Sequence, residues 1–237
     1  MGSITVLRQL APEDRLASLY PGASLSRQVL GICERVASLA LFAAVSPVLV
    51  GSALAMTLRS GRTPLIAHRR VGWQGSPLWM LKLRTMWPAT SPATQDDAEG
   101  VRPPRSGWIE YIDDDLGPQL KHPADHRVSS SFARFCRRHS IDELPQLWHV
   151  VRGQMSLVGP RPMTADELRR YYGPAAREIL QVRPGLAGLW QISGRNRLTY
   201  AERRDLDLKL VRGRCARLYI EILLRTIPEV LSGSGSW

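Results

Sequence analysis

The sequence predicts a predominantly helical α+β, monotopic membrane protein, in which one broken, re-entrant N-terminal helix carries a small cytosolic domain. Three observations predict this class. A hydrophobic run over residues 36–58 reaches the roughly 20 residues that a membrane helix needs. Ser46-Pro47 falls near its midpoint. Beyond the run, residues 78–86 alternate in the manner of a strand, while several later stretches repeat at helical spacing.

At 237 residues the chain has room for one core domain with an attachment. Its net charge of +11 favours polyanionic partners: nucleic acid, an anionic membrane surface or a phosphorylated substrate. Cys33, Cys136 and Cys215 lie far apart with no CxxC pair. That pattern argues against a disulfide framework and a zinc site, and for a reducing compartment.

Residues 1–28 are polar and punctuated by Pro12, Pro21 and Gly22, and read as a lead-in. Residues 29–60 form the membrane segment. A full span, a signal peptide cleaved after Ala53-Leu54-Ala55 and a re-entrant helix compete for it. The long lead-in and long apolar core disfavour the signal peptide. Proline has no N–H and clashes with the preceding turn, so Pro47 kinks or breaks a helix. Ser46 can offer its hydroxyl to a carbonyl so freed. Each half would be about 15 Å long at the α-helical rise. Arg27 and Arg35 precede the run; Arg59, Arg62, Arg69 and Arg70 follow it. Basic flanks on both sides suit two ends on the cytoplasmic face. A kinked full span stays open on these residues alone.

Residues 61–237 form the cytosolic domain. Gly75-Ser-Pro reads as a turn, and in the strand that follows Lys82 and Arg84 share a face. That face is either solvated or set beside a phosphate. Residues 87–124 are rich in proline and acidic runs and read as an insertion, a mobile loop. Within it, Asp113-x-Asp115 is better read as solvated than as a metal site. Over residues 130–139, Phe132, Phe135 and Cys136 alternate with arginines as in a short amphipathic helix. His139 and His149 lack metal-ligand spacing and read as structural.

Asp142-Glu143 then stands where the next helix begins, with Leu144, Leu147, Trp148 and Val151 at helical intervals and Gly153 to end it. Carboxylates ringed by arginines suggest phosphate handling. A plainer reading is that Ser140-x-x-Glu143 is a capping box. From residue 200 to about 231, Leu206, Leu210, Leu218, Ile222 and Leu223 interleave with arginines. Such a helix either lies on lipid headgroups or turns its apolar side inward. Asp207 either orders a site or pairs with an arginine.

Four motifs occur in order: Lys82-Leu-Arg-Thr-Met86, Ser140-Ile-Asp-Glu-Leu-Pro-Gln146, Met155-Ser-Leu-Val-Gly-Pro-Arg-Pro162 and Arg183-Pro-Gly-Leu-Ala-Gly-Leu-Trp-Gln-Ile-Ser-Gly194. As an ordered set they closely resemble the bacterial sugar transferase family, the monotopic polyprenyl-phosphate phosphoglycosyl transferases. The resemblance continues through Glu202, Leu206-Asp207-Leu208 and Ile222-Leu-Leu-Arg-Thr226, and omits only the 87–124 insertion after residue 27. Departures fall at Asp125-His-Arg-Val-Ser-Ser-Ser-Phe132 and at Lys209-Leu210, where aromatics are usual.

The resemblance implies a re-entrant helix broken at Ser46-Pro47 and a minimal catalytic form. It implies Asp142 as nucleophile with Glu143 beside it, both near a magnesium ion. The implied reaction moves a sugar-1-phosphate from a UDP-sugar to polyprenyl (undecaprenyl) phosphate, releases UMP, and proceeds by a ping-pong route through an Asp142-phosphosugar. Lys82, Arg84, Arg137, Arg161 and Arg183 are the expected cationic shell, with Arg161 foremost because two prolines fix its backbone. Arg195 is a weaker candidate, and Arg138 faces either phosphate or headgroups. The expected place is the cytoplasmic face of a bacterial inner membrane, in surface-polysaccharide synthesis, with membrane lipid as a partner and no nucleic acid. A homo-oligomer and the identity of the sugar are left open. A nucleic-acid binder, a non-catalytic scaffold and a UDP-releasing glycosyltransferase are the rival functions.

Overall fold

In a computed structural model, residues 24–86, 108–112, 128, 130–194 and 198–233 are described. Arg195 and Asp113-x-Asp115 lie outside them.

Helix α1 occupies Ser24–Ser60 as one helix with Pro47 inside it, so the break expected at Ser46-Pro47 is not present. Pro47 has no N–H for the carbonyl of Ala43, four residues back. The Ser46 hydroxyl donates to that oxygen at 2.8 Å. The serine thus does what the sequence reading asked of it. Glu34, Ser38, Ser52 and Met56 form a buried stripe, with Phe42, Val45 and Leu49 half-buried between them. The opposite surface exposes Val36, Leu39, Val48, Val50, Leu54 and Leu58. The helix is apolar and long enough to cross a membrane, with a mean hydropathy of 2.1 and 11% of its most apolar window buried.

Strand β1 (Leu65–Val71) is central in a three-stranded sheet. It pairs antiparallel with β2 (Pro77–Leu83), Leu65 opposite Leu83 and Val71 opposite Pro77. The turn between them passes through Gln74 at φ 53°, held by its N–H donating to the Leu180 carbonyl at 2.8 Å. Strand β3 (Ile109–Ile112) runs parallel to β1 on the other side. It lies inside the insertion read as a loop, so at these four residues that expectation is corrected. The buried Arg84 reaches Glu110 and ties the new strand to the sheet.

The chain then forms α2 (Ser131–Arg138), a 3-10 turn over Ile141–Gln146 and α3 (Leu147–Val151). The α1 helix packs on α3, with the Phe42 and Trp148 rings 5.9 Å apart. Met56 joins Ala133 and Cys136 of α2 in a small core. His149 is structural, as expected: Nε2 accepts from the Leu81 N–H at 3.1 Å, and Nδ1 meets Gln154 Oε1 at 2.8 Å.

Strands β4 (Ser156–Val158) and β5 (Gly185–Ala187) pair in parallel. Between them lie α4 (Ala165–Glu167), its π-helical continuation over Leu168–Tyr172, and α5 (Ala176–Ile179). After β5 come α6 (Leu189–Ile192), α7 (Tyr200–Arg212) and α8 (Ala216–Ser232). Val158, Ala187, Leu189, Leu210 and Ile222 make the main core, with Leu206, Leu218 and Leu223 packed on it. Full burial of such a side chain contributes about 1.5–3 kcal/mol. The five apolar residues cited for residues 200–231 therefore face inward. A different stripe, Ile220, Leu224, Ile227 and Leu231, lies on the outer surface of α8.

Candidate active site

The acidic pair is delivered by a sharp local turn. The Ser130 hydroxyl accepts from the Ala133 N–H at 3.0 Å and starts α2. At its far end Ser140 takes a left-handed conformation, φ 54°, and redirects the chain into the 3-10 turn. No side-chain cap forms at Ser140. The Glu143 carboxylate instead accepts from Lys82 Nζ of β2 at 2.9 Å. The capping-box reading is thereby overturned. Asp142, one residue earlier, is 8% exposed. It lies near the Cys136 thiol, whose pKa is pushed up to about 11 by burial and then by the Asp142 charge.

Opposite the pair, two backbone segments are clasped through glycine. The Gly159 N–H donates to the Ala187 carbonyl at 2.9 Å and the Gly185 N–H to the Pro160 carbonyl at 2.8 Å. A Cβ on Gly185 would sit 2.0 Å from the Gly159 nitrogen. Only hydrogen fits there. The clasp fixes Gly-Pro-Arg-Pro and presents Arg161, which lines a narrow cleft with Lys82, Glu143, Gln146 and Gln191. Its guanidinium carbon lies 5.3 Å from the centre of the Trp190 ring. Asp142 is not among the residues that line this cleft, and it joins the site through its place beside Glu143 in the 3-10 turn. A carboxylate in contact with a lysine and an arginine across the cleft can bind and polarise a phosphate.

Comparison with known proteins places this geometry. The profile of the bacterial sugar transferase family matches residues 25–233. The chain belongs to the bacterial sugar transferase family. Among its relatives, a UDP-galactose-lipid carrier transferase of Erwinia amylovora is 37% identical over 86% of the chain. An exopolysaccharide production protein of Sinorhizobium fredii is 36% identical over 89% of it. A UDP-glucose:undecaprenyl-phosphate glucose-1-phosphate transferase of Caulobacter vibrioides is 34% identical over 96%. The aligned part makes up 40% of the Erwinia protein, 91% of the Sinorhizobium protein and 80% of the Caulobacter protein.

Not every cation expected at the site of this transferase reaches the cleft. Lys82 and Arg161 do. Arg84 does not line it, because β2 ends at Leu83 and the alternation with Lys82 stops there. At 2% exposure, Arg84 donates to the Thr63 carbonyl at 2.8 Å and the Thr63 hydroxyl at 3.1 Å, besides Glu110. Arg183 stacks on Trp73 at 5.2 Å, near Gly31 of α1, and is not among the residues that line the cleft. Arg137 is half-buried in the last turn of α2.

One residue escaped the sequence reading altogether. Glu34 is the only acidic residue of α1, and one carboxylate oxygen accepts from the Ser156 hydroxyl, the Leu157 N–H and the Tyr219 hydroxyl. Tyr219 is pushed well above the usual phenol range by burial and by this carboxylate. A lone acid in an apolar run was the available signal.

Proposed function

We propose that this chain transfers a sugar-1-phosphate from a UDP-sugar to polyprenyl phosphate, with UMP as the nucleotide product. The observation that carries this reading is that Glu143, Lys82 and Arg161 line one cleft, with Asp142 next to Glu143 in the same turn, in a chain of this family. The relatives named for UDP-galactose, UDP-glucose and undecaprenyl phosphate support the substrate classes.

In the proposed first step an Asp142 oxygen attacks the sugar-bearing β-phosphorus. The new O–P bond forms as the bond to the bridging oxygen breaks, and that oxygen leaves on UMP. In the second step an oxygen of polyprenyl phosphate attacks the same phosphorus, and the Asp142 carboxylate is released. Arg161 offers a guanidinium to the anionic phosphoryl oxygens, and Lys82 holds Glu143 in place while adding a second positive charge. In this scheme Glu143 either holds the metal or moves a proton at the entering lipid phosphate.

Asp142 and Glu143 fit a magnesium ion shared with substrate. They are hard oxygen donors, and no group of three or more acidic, His or Cys residues gathers among the described residues. Magnesium keeps several waters and completes its shell with substrate phosphates. When bound, it would neutralise diphosphate oxygens.

We also read α1 as re-entrant on the cytoplasmic face of the inner membrane. Before Pro47, Glu34 is bonded to Ser156 and Tyr219; after it, Met56 packs on α2. A full span would carry these two contacts with one domain to opposite sides of the bilayer.

The test is the nucleotide released from a panel of UDP-sugars in vesicles containing undecaprenyl phosphate. UMP is expected, and UDP or no nucleotide overturns the reading. Acid-quenched enzyme given donor alone should carry the phosphosugar on the peptide holding Asp142. Product accumulating from an enzyme without that adduct, or an Asp142→Asn variant with near-normal turnover, would end the covalent route.

A further inference from the structure

Behind Arg161 the structure gathers more charge than the reaction uses. Trp190 of α6 is 5% exposed, and its ring carries two guanidinium groups: Arg161 at 5.3 Å and Arg203 of α7 at 5.1 Å. Arg203 also lies 5.3 Å from the Tyr200 ring, and Tyr200 stacks on Tyr171 with 4.0 Å between centres. Two cations on one indole repel each other. The Arg203 guanidinium accordingly loses protons more readily than usual, through burial first and the Arg161 charge second.

Something must offset that repulsion. Glu167, held by the capping box that starts α4, faces Arg203 and supplies one negative charge against the two guanidinium groups. Asp207, one turn along α7 from Arg203, is 0% exposed. One of its oxygens accepts from the Tyr172 hydroxyl at 2.9 Å, and the other is buried with no hydrogen-bond partner. Both arginines act on it electrostatically.

We propose that Asp207 is a positioning residue for Arg161: its buried carboxylate is the counter-charge that lets Arg161 and Arg203 share Trp190, and so keeps Arg161 directed at the cleft. The proposal rests on the reading of Arg161 as the phosphate-facing cation. A purely structural role is disfavoured by the cost of this group. Burial pushes its pKa up to about 7, against the pull of Tyr172, Arg161 and Arg203. Because the native state holds the proton more tightly than the unfolded chain, Asp207 makes folding stability fall as pH rises from about 4 to about 7. Its charge works against the fold.

The experiment uses the full chain in vesicles at pH 8 and reads UMP release, thermal unfolding and the rate at which phenylglyoxal modifies Arg161. In Asp207→Asn, kcat/KM is expected to fall about tenfold or more through misplacement of Arg161. Its unfolding midpoint should be unchanged or higher, and Arg161 labelling faster. Adding Arg203→Gln to that variant removes the repulsion and should restore part of the activity and slow the labelling. Activity and labelling like wild type in Asp207→Asn, or a loss that Arg203→Gln does not relieve, overturns the proposal. Labelling that responds in a protein releasing no UMP condemns the functional reading and leaves the positioning role standing. Arg203→Gln alone, which keeps the carboxylate, answers if Asp207→Asn does not fold: Arg161 labelling should slow, and an unchanged rate overturns the proposal.

Discussion

Lys82 and Glu143 meet at 2.9 Å with side chains 16% and 25% exposed, so water screens their attraction only in part. Replacing Lys82 with Met leaves Glu143 without that partner and removes a cation from the cleft. UMP release is expected to fall about a hundredfold, as when one charge-stabilising donor is lost, with little change in the unfolding midpoint. His149 makes a different prediction. Burial, ahead of its other interactions, lowers its pKa, and Nε2 must stay unprotonated to accept from Leu81. The unfolded chain therefore binds this proton more readily than the native one. The resulting stability is complete above about pH 6.5 and is lost as pH falls through the lower native value. Thermal unfolding followed from pH 8 to pH 5 should show it, and His149→Gln should flatten that limb. At this scale local motif and backbone rigidity were enough to point to Glu143 and Arg161 together, and the two line one cleft. Arg84 and Arg183 do not line that cleft, and their partners Glu110 and Trp73 are distant in sequence and carry no local signal.

Among the elements, the clasp between Gly159 and Gly185 is the least forgiving. A methyl on Gly185 has backbone on every near side, so the two strands would have to separate. Gly185→Ala is expected to cost about 3 kcal/mol or more, at the upper end for overpacking, and to abolish UMP release. Thermal unfolding and the nucleotide assay check both halves. The helices were readable because their apolar residues recur at helical spacing within a few turns. Strand β3 was hidden because it has four residues, sits in a polar insertion and gains its meaning from pairing with β1, more than 40 residues earlier. Helix α8 was half-legible. Its inward residues were named correctly as apolar, but Ile220, Leu224, Ile227 and Leu231 show a second apolar side that a single amphipathic face did not anticipate.

On the scale of the whole molecule, a predominantly helical domain holds a long apolar helix through ring and core contacts and one buried acid. Glu34→Gln keeps the shape but weakens acceptance from the Ser156 and Tyr219 hydroxyls and the Leu157 N–H. Hydrogen bonds to a charged group contribute about 1.5–3 kcal/mol, so the variant should unfold at lower temperature while remaining in the membrane fraction. The membrane attachment was legible as composition, whereas the fastening of Glu34 to the catalytic domain depended on contacts spanning 122 or more residues. Ser46 adds a mechanical corollary. Because its hydroxyl already occupies the Ala43 carbonyl that Pro47 leaves behind, α1 can flex there without baring a polar atom to hydrocarbon. In the proposed re-entrant placement, the two halves of α1 would stay docked on the domain through Glu34 and Met56, so the cleft would keep a fixed height above the headgroups.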